Sequence, residues 1–266
     1  MKDESNAMLN GTDASDAVEA ITSETIKTLE NRVSVRKYSD APVTEAHVEA
    51  ILRAAFRAPT SSNIQAYSVV VVRDRETLKE LYVTTGNQQH VADTPVFLAF
   101  CADLTRMEEA ISRHGGDMDD NVLELGLVST IDATLVGMSA YLAADSLGLK
   151  GLMIGAVRND PIEVARILGL PKRVYAVFGM CLGWPEEAPK QKPRMEFDSV
   201  VHFEQYGNEG FERALDRYDT TLAGHYESMG KKTTPDSWTR DIAAKFNQPR
   251  RAELRRQLKE RGFDFK

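Results

Sequence analysis

The sequence predicts an α+β fold, and three observations carry that expectation. Three apolar runs, at 67–72, 95–101 and 174–184, have the length and composition of buried β-strands. A much longer stretch places Leu123, Leu127, Ile131, Leu135, Met138 and Leu142 at helical spacing, with Ala, Val and Ser filling much of the rest. Strand and helix patterns do not alternate regularly along the chain, which disfavours a doubly wound parallel sheet.

Taken in order, the first 20 residues are acidic, rich in Ser, Asn and Asp, and lack a hydrophobic signal core. They are expected to form a disordered arm, in which Ser5-Asn6-Ala7 ahead of Met8 reads as a cloning remnant. Residues 21–266 read as one domain with a helical C-terminal extension over about residues 209–266. A first helix is expected over 21–31. Thr44 is a good N-cap for a second, with Val48, Ile51, Leu52 and Ala55 on one face and Val43 and Val48 at staple positions across the cap. Pro59 stops it. The polar turn Thr60-Ser61-Ser62-Asn63-Ile64-Gln65 leads into the run at 67–72, which reads as an interior strand. Asp74 caps a helix over 75–84; polar loops follow at 86–90 and at His114-Gly115-Gly116.

Asp119 or Asp120 opens the long helix, expected to run about 28 residues, or roughly 42 Å, and to be buried nearly all round. That length points to a subunit interface or to a single large core. Gly155-Ala156-Val157-Arg158 is a turn, and Asn159 or Asp160 caps a helix with Pro161 at its first position. Helical patterning resumes at Glu209, with breaks near 231–235 and at Pro249.

Composition narrows the function. With 42% hydrophobic and 27% charged residues, the chain can build an ordinary globular core. A net charge of -7 argues against nucleic acid or an anionic membrane as the main partner, so any basic cluster is local and aimed at a small anion. Cys101 and Cys181 are too few for a disulfide framework and read as packing residues in a reduced, cytoplasmic compartment. The five histidines show no ligand spacing, so no metal site is expected. No run approaches 18 apolar residues, so no membrane span is expected. Nucleophile-elbow, P-loop and G-x-G-x-x-G patterns are absent.

The chemistry-bearing residues sit in polar stretches between these elements. In the extended segment Arg32-Val33-Ser34-Val35-Arg36, Arg32, Ser34 and Arg36 share one face while the valines turn inward. Two guanidiniums flanking a hydroxyl make a phosphate cradle. Lys192-Pro193-Arg194 is a second cationic loop, and Ser61, Ser62, Asn63, Gln65 and Gln88 supply hydroxyl and amide donors. Gly155 lets backbone approach a flat ligand closely. A ligand with one phosphate and one hydrogen-bonding ring system would use every member.

The ordered motifs R-x-S-x-R-x-Y, A-P-T-S-S-N-x-Q, G-N-Q-Q-H-V, G-L-x-I-G-x-x-R-N, F-G-x-C-L-G-W-P and K-P-R resemble the FMN-dependent nitroreductase superfamily, from about Ile21 to the C-terminus. They are most similar to its branch of oxygen-insensitive, NADPH-using nitroreductases and flavin reductases. The resemblance implies a mostly antiparallel central sheet flanked by helices, with the long helix at a homodimer interface and the active site built from both subunits. It implies that Arg32, Ser34, Arg36, Lys192 and Arg194 grip the FMN phosphate. Ser61, Ser62, Asn63 and Gln65 would line the ribityl chain and ring edge, with Gln88 at the pyrimidine side and Gly155 near the reactive edge. The relatives carry arginines linked to NADPH before the Asp-Ser-Trp at 236–238, where this chain has Thr233-Thr234-Pro235; Lys231, Lys232, Arg250 and Arg251 are the candidates for that contact. Residues 250–261 would embrace the partner. The implied reaction is ping-pong: hydride passes from NADPH to the flavin N5, and two electrons then pass to a nitroaromatic, a quinone or free flavin. The flavin carries the chemistry, so no catalytic acid or base is assigned. The rival readings are a dehalogenase-type relative and a non-catalytic flavin-binding or redox-sensing protein.

Overall fold

The computed structural model describes residues 21–118 and 123–265. The expected arm at 1–20 and the helix-opening Asp119 or Asp120 lie outside the described residues.

Four strands, β1 (Tyr67–Val72), β2 (Val96–Asp103), β3 (Lys150–Ile154) and β4 (Val174–Gly183), form one antiparallel sheet in the order β1-β2-β4-β3. The two central strands are buried along their whole length, as their unbroken apolar sequence requires. Alternation sends Leu98, Phe100 and Ala102 to one face and Phe97, Ala99 and Cys101 to the other. In β4 the alternation changes phase at Val177. Phe100 pairs with Phe178 and Cys101 with Ala176, leaving Val177 as the extra residue of a β-bulge. The Arg158 guanidinium donates to the Val177 carbonyl.

The first face is covered by α2 (Glu45–Ala55) and α6 (Leu123–Ser146), the second by α3 (Arg75–Thr84) and α7 (Pro161–Leu168). Thr44 caps α2 as expected, in a capping box whose other half is His47, and the helix ends at Ala55, ahead of Pro59. Asp74 caps α3, and of Asn159 and Asp160 it is Asp160 that caps α7, with Pro161 at its first position.

Two expectations about shorter elements are corrected, and one helix is unexpected. β1 is an edge strand: both its faces are partly covered, Tyr67 and Val69 by the first layer and Val70 and Val72 by the second, which produces an interior-like sequence, yet Val71 is 39% exposed. The polar stretch at 86–90 is loop only as far as Gln88, the residue before the short helix α4 (Gln89–Asp93). A further helix, α5 (Thr105–Ser112), follows β2 without having been anticipated.

The largest correction concerns α6. Its large apolar residues, Leu123, Leu127, Ile131, Leu135 and Met138, are exposed on this chain, Ile131 by 54%. The buried side is made of Gly126, Ser129, Asp132, Ala133, Val136, Gly137, Ala140, Tyr141 and Ala144. Small residues there let the helix lie close on the stacked Phe100–Phe178 pair: a Cβ on Gly137 would stand 2.3 Å from Phe178 Cζ. By length and composition α6 could cross a membrane, but its small-residue side packs on the sheet.

The first helix, α1 (Glu24–Glu30), is capped by Ser23. In the C-terminal region, α8 (Phe211–Glu227) packs on α9 (Ser237–Phe246), where the buried Asp219 of α8 accepts from the amides of Trp238 and Thr239. The last helix, α10 (Leu254–Glu260), does not reach away from the chain; it packs on α7, and Phe263 beyond it is fully buried edge-on against Tyr175.

Candidate functional site

The segment at 32–36 forms neither helix nor strand. Val35 is buried and its amide donates to Gly151 O at 3.2 Å, while the Tyr141 hydroxyl on α6 donates to Val33 O at 2.6 Å. Arg32, Ser34 and Arg36 line one cleft as expected, but half-buried Val33 lines it with them, so only Val35 turns fully inward. The Arg32 guanidinium lies over the Tyr141 ring at 5.6 Å and reaches Ser34 Oγ at 3.4 Å. Glu187 accepts from the Arg36 backbone amide at 2.7 Å.

The loop after β4 returns to the same place. Gln191 Nε2 donates to Arg32 O at 3.2 Å, Lys190 Nζ to Ser228 O at 3.0 Å, and Lys192 Nζ to the Tyr226 hydroxyl at 3.1 Å. Together these elements enclose a cleft of about 270 Å³ lined by Arg32, Val33, Ser34, Arg36, Pro189, Lys190, Gln191, Lys192, Arg194, His225, Met229 and Lys231. Six of these described residues are cationic, Arg32, Arg36, Lys190, Lys192, Arg194 and Lys231, and no carboxylate joins them in the lining. His225 Nε2 is buried there with no hydrogen-bond partner. A cationic cleft with an unmatched buried nitrogen is a site shaped for an anionic group such as phosphate.

The other expected residues lie elsewhere on this chain. Ser61–Asn63 forms a short 3₁₀ turn on α6 at Asp132, whereas Arg32 meets α6 at Tyr141, nine residues further on and about 13.5 Å along the axis. The turn is unusual in backbone: Ser62, Asn63 and Gln65 have φ of 46°, 56° and 50° without being glycine. Their side chains face solvent, with Gln65 Nε2 donating to Asn63 Oδ1 at 3.3 Å. Gln88 donates to Thr85 O at 2.8 Å at the head of α4. Two residues later, burial and then the charge of Arg36 hold the His90 imidazole below its ordinary range.

Gly155 opens a 3₁₀ turn to Asn159, and Arg251 spans it, donating to Asn159 Oδ1 at 2.9 Å and Gly155 O at 3.3 Å. Of the four residues expected as candidates for the NADPH contact, only Lys231 lines the cleft. Arg251 is committed to the Gly155 turn, Arg250 lies over the Phe246 ring at 5.4 Å, and Lys232 is exposed outside the cleft.

Lys190, His225, Asp132 and Tyr141 were not picked out from sequence. Lys190 had a visible signal, its place two residues before Lys192 in the same basic loop; so did Asp132, an acid in the middle of an apolar helix whose other acids, Glu124 and Asp145, stand near its ends. His225 had none, because it reaches the cleft only through the docking of α8. Both cysteines are free and buried, and burial pushes their thiols well above the ordinary range. Among the described residues no His, Cys, Asp or Glu cluster could hold a metal.

Comparison with known proteins follows the same lines. The profile described as the nitroreductase family matches residues 29–184, and that of the nitroreductase family C-terminal domain matches residues 192–266. The chain is 40% identical over 220 residues to the oxygen-insensitive NADPH nitroreductase of Salmonella typhimurium, covering 83% of this chain and 90% of that protein. To the NADPH-flavin oxidoreductase of Vibrio harveyi it is 33% identical over 238 residues, covering 90% and 97%. The structure of B. megaterium NfrA2 superposes with a TM-score of 0.88 at 31% identity over 92% of this chain and 100% of that one. The chain therefore belongs to the nitroreductase family.

Proposed function

We propose that this chain is an FMN-dependent NAD(P)H oxidoreductase that takes hydride from NADPH and reduces flat acceptors such as nitroaromatics, quinones or free flavin. The observation that carries this reading is the cleft of six cations around Ser34, free of carboxylates and containing an unmatched imidazole nitrogen. Relatives named as NADPH nitroreductase, NADPH-flavin oxidoreductase and FMN reductase support the reaction class.

In this reading Arg32, Ser34, Arg36, Lys192 and Arg194 hold the FMN phosphate. Charge-assisted bonds from several sides retain the cofactor through each turnover. Bound FMN supplies the two-electron chemistry between nicotinamide and acceptor. Ser61, Ser62, Asn63 and Gln65 meet the ring from the second copy of a homodimer, since they lie too far along α6 to serve the cleft of their own chain. The exposed stripe Leu123, Leu127, Ile131, Leu135 and Met138 supports that pairing: large apolar side chains in a row on a helix ask for cover. Gln88 and Gly155 approach the ring from the cleft's own chain, and Lys231 takes the 2′-phosphate of NADPH. Two inert buried thiols suit a reduced, cytoplasmic setting.

The test is anaerobic mixing of the purified yellow protein with NADPH and NADH in parallel. Prompt bleaching, reversed by a quinone or nitroaromatic, is expected, with NADPH faster and its advantage cut about 2- to 5-fold by Lys231→Ala. A flavin that keeps its colour with both donors would refute the oxidoreductase reading.

A further inference from the structure

We propose that Asp132 is a positioning residue, holding the Ser61–Gln65 loop in the one shape that meets the flavin ring; this rests on the assignment of that loop to FMN made above. Asp132 lies in the middle of α6 and is fully buried. Its Oδ1 accepts from the Ser61 amide and its Oδ2 from the Ala66 amide, each at 3.1 Å, so one carboxylate grips both ends of the turn. Between those two anchors the chain passes through the left-handed region at Ser62, Asn63 and Gln65, which side chains with a Cβ disfavour.

A second clamp acts from outside. Arg106 donates to Gln65 O at 2.9 Å and to Tyr67 O, and is itself held by Asp103 at 3.3 Å. A backbone in so disfavoured a conformation persists only when its surroundings over-determine it. Between the anchors Ile64 alone packs on the core, while Ser61, Ser62, Asn63 and Gln65 are exposed polar groups, so packing accounts for little of the effort. A buried carboxylate is also a costly way to fill the sheet-facing side of α6, where alanine and glycine serve at neighbouring positions. The arrangement fits a loop whose donors must stand at set places for a ligand.

The cationic cleft meets α6 at Tyr141, away from Asp132, so phosphate grip and ring geometry should separate. Asp132→Asn keeps the volume but sets an amide NH₂ against one of the two backbone N–H groups. The expected result is altered visible circular dichroism of the bound flavin and a kcat/KM for NADPH lowered about 10- to 100-fold, with the FMN Kd raised no more than about 3-fold. A companion pair covers failure of that variant to fold. Ser61→Pro deletes the donated N–H while Thr60, at φ -131° and ψ 152°, already has the backbone a following proline requires; Ser61→Ala removes the hydroxyl alone. Ser61→Pro should change the flavin spectrum and kcat/KM beyond Ser61→Ala. Spectra and kinetics like wild type in Asp132→Asn, or identical behaviour of the Ser61 pair, would overturn the positioning role even if thermal stability fell. Arg36→Ala with Arg194→Ala separates the two readings: if that protein keeps its flavin, the site assignment fails and not merely the role of Asp132.

Discussion

Arg36 and Arg194 are distant in sequence yet converge on one cleft, and each segment has a backbone contact independent of its guanidinium. The Arg36 amide is fixed by Glu187, and Pro193 O next to Arg194 accepts from the Tyr218 hydroxyl at 3.2 Å. Removing the two guanidiniums should therefore leave the segments in place and take away binding alone. Each charge-assisted bond contributes about 1.5–3 kcal/mol, so the double alanine variant should raise the FMN Kd about 10²- to 10⁴-fold and elute colourless from gel filtration. His90 makes a different prediction. Burial and the neighbouring Arg36 lower its folded pKa, so the unfolded chain takes up the proton more readily. Its contribution to stability is complete above the ordinary histidine pKa of about 6.5 and is lost as pH falls through that value toward the folded pKa. His90→Gln should flatten the loss of melting temperature between about pH 7.5 and about pH 5.5; an unchanged slope would remove His90 from the account.

Helix α6 makes the case for elements. Its pattern predicts a helix buried nearly all round, yet on this chain the core takes only the side with the glycines and alanines, because two stacked phenylalanines stand beneath and leave no room for larger side chains. Periodicity reports that a helix has an apolar face; it does not report whether the covering surface belongs to the same chain. Gly137→Ala should cost about 1–3 kcal/mol in urea unfolding, since its Cβ would press within 2.3 Å of Phe178 Cζ. A cost near zero would mean that the phenylalanine pair yields easily. β1 misleads in the same way: a strand covered in part on both faces reads as interior whether or not another strand lies beyond it.

For the whole molecule, the proposed site is one in which a second copy brings its Ser61–Gln65 loop to the cationic cleft of the first. Ile131→Glu places a charge in the exposed stripe of α6 and should weaken self-association by about 2 kcal/mol or more, shifting the sedimentation profile toward monomer and releasing flavin. A wild-type protein that sediments as a monomer with full flavin content would exclude the two-chain site.

Local chemistry was legible in the order of residues. The cradle Arg32, Ser34 and Arg36, the caps at Thr44, Asp74 and Asp160, and the central strands follow from alternation, capping and apolar runs, all set by neighbours within a few positions. What required the folded chain was everything joined across it: Lys190 and His225 completing the cleft, Asp132 gripping a turn 71 residues away, and Lys231 chosen over Lys232. Those contacts depend on how helices dock on a sheet, and docking is decided by shape and volume between distant segments, which no short window of sequence contains.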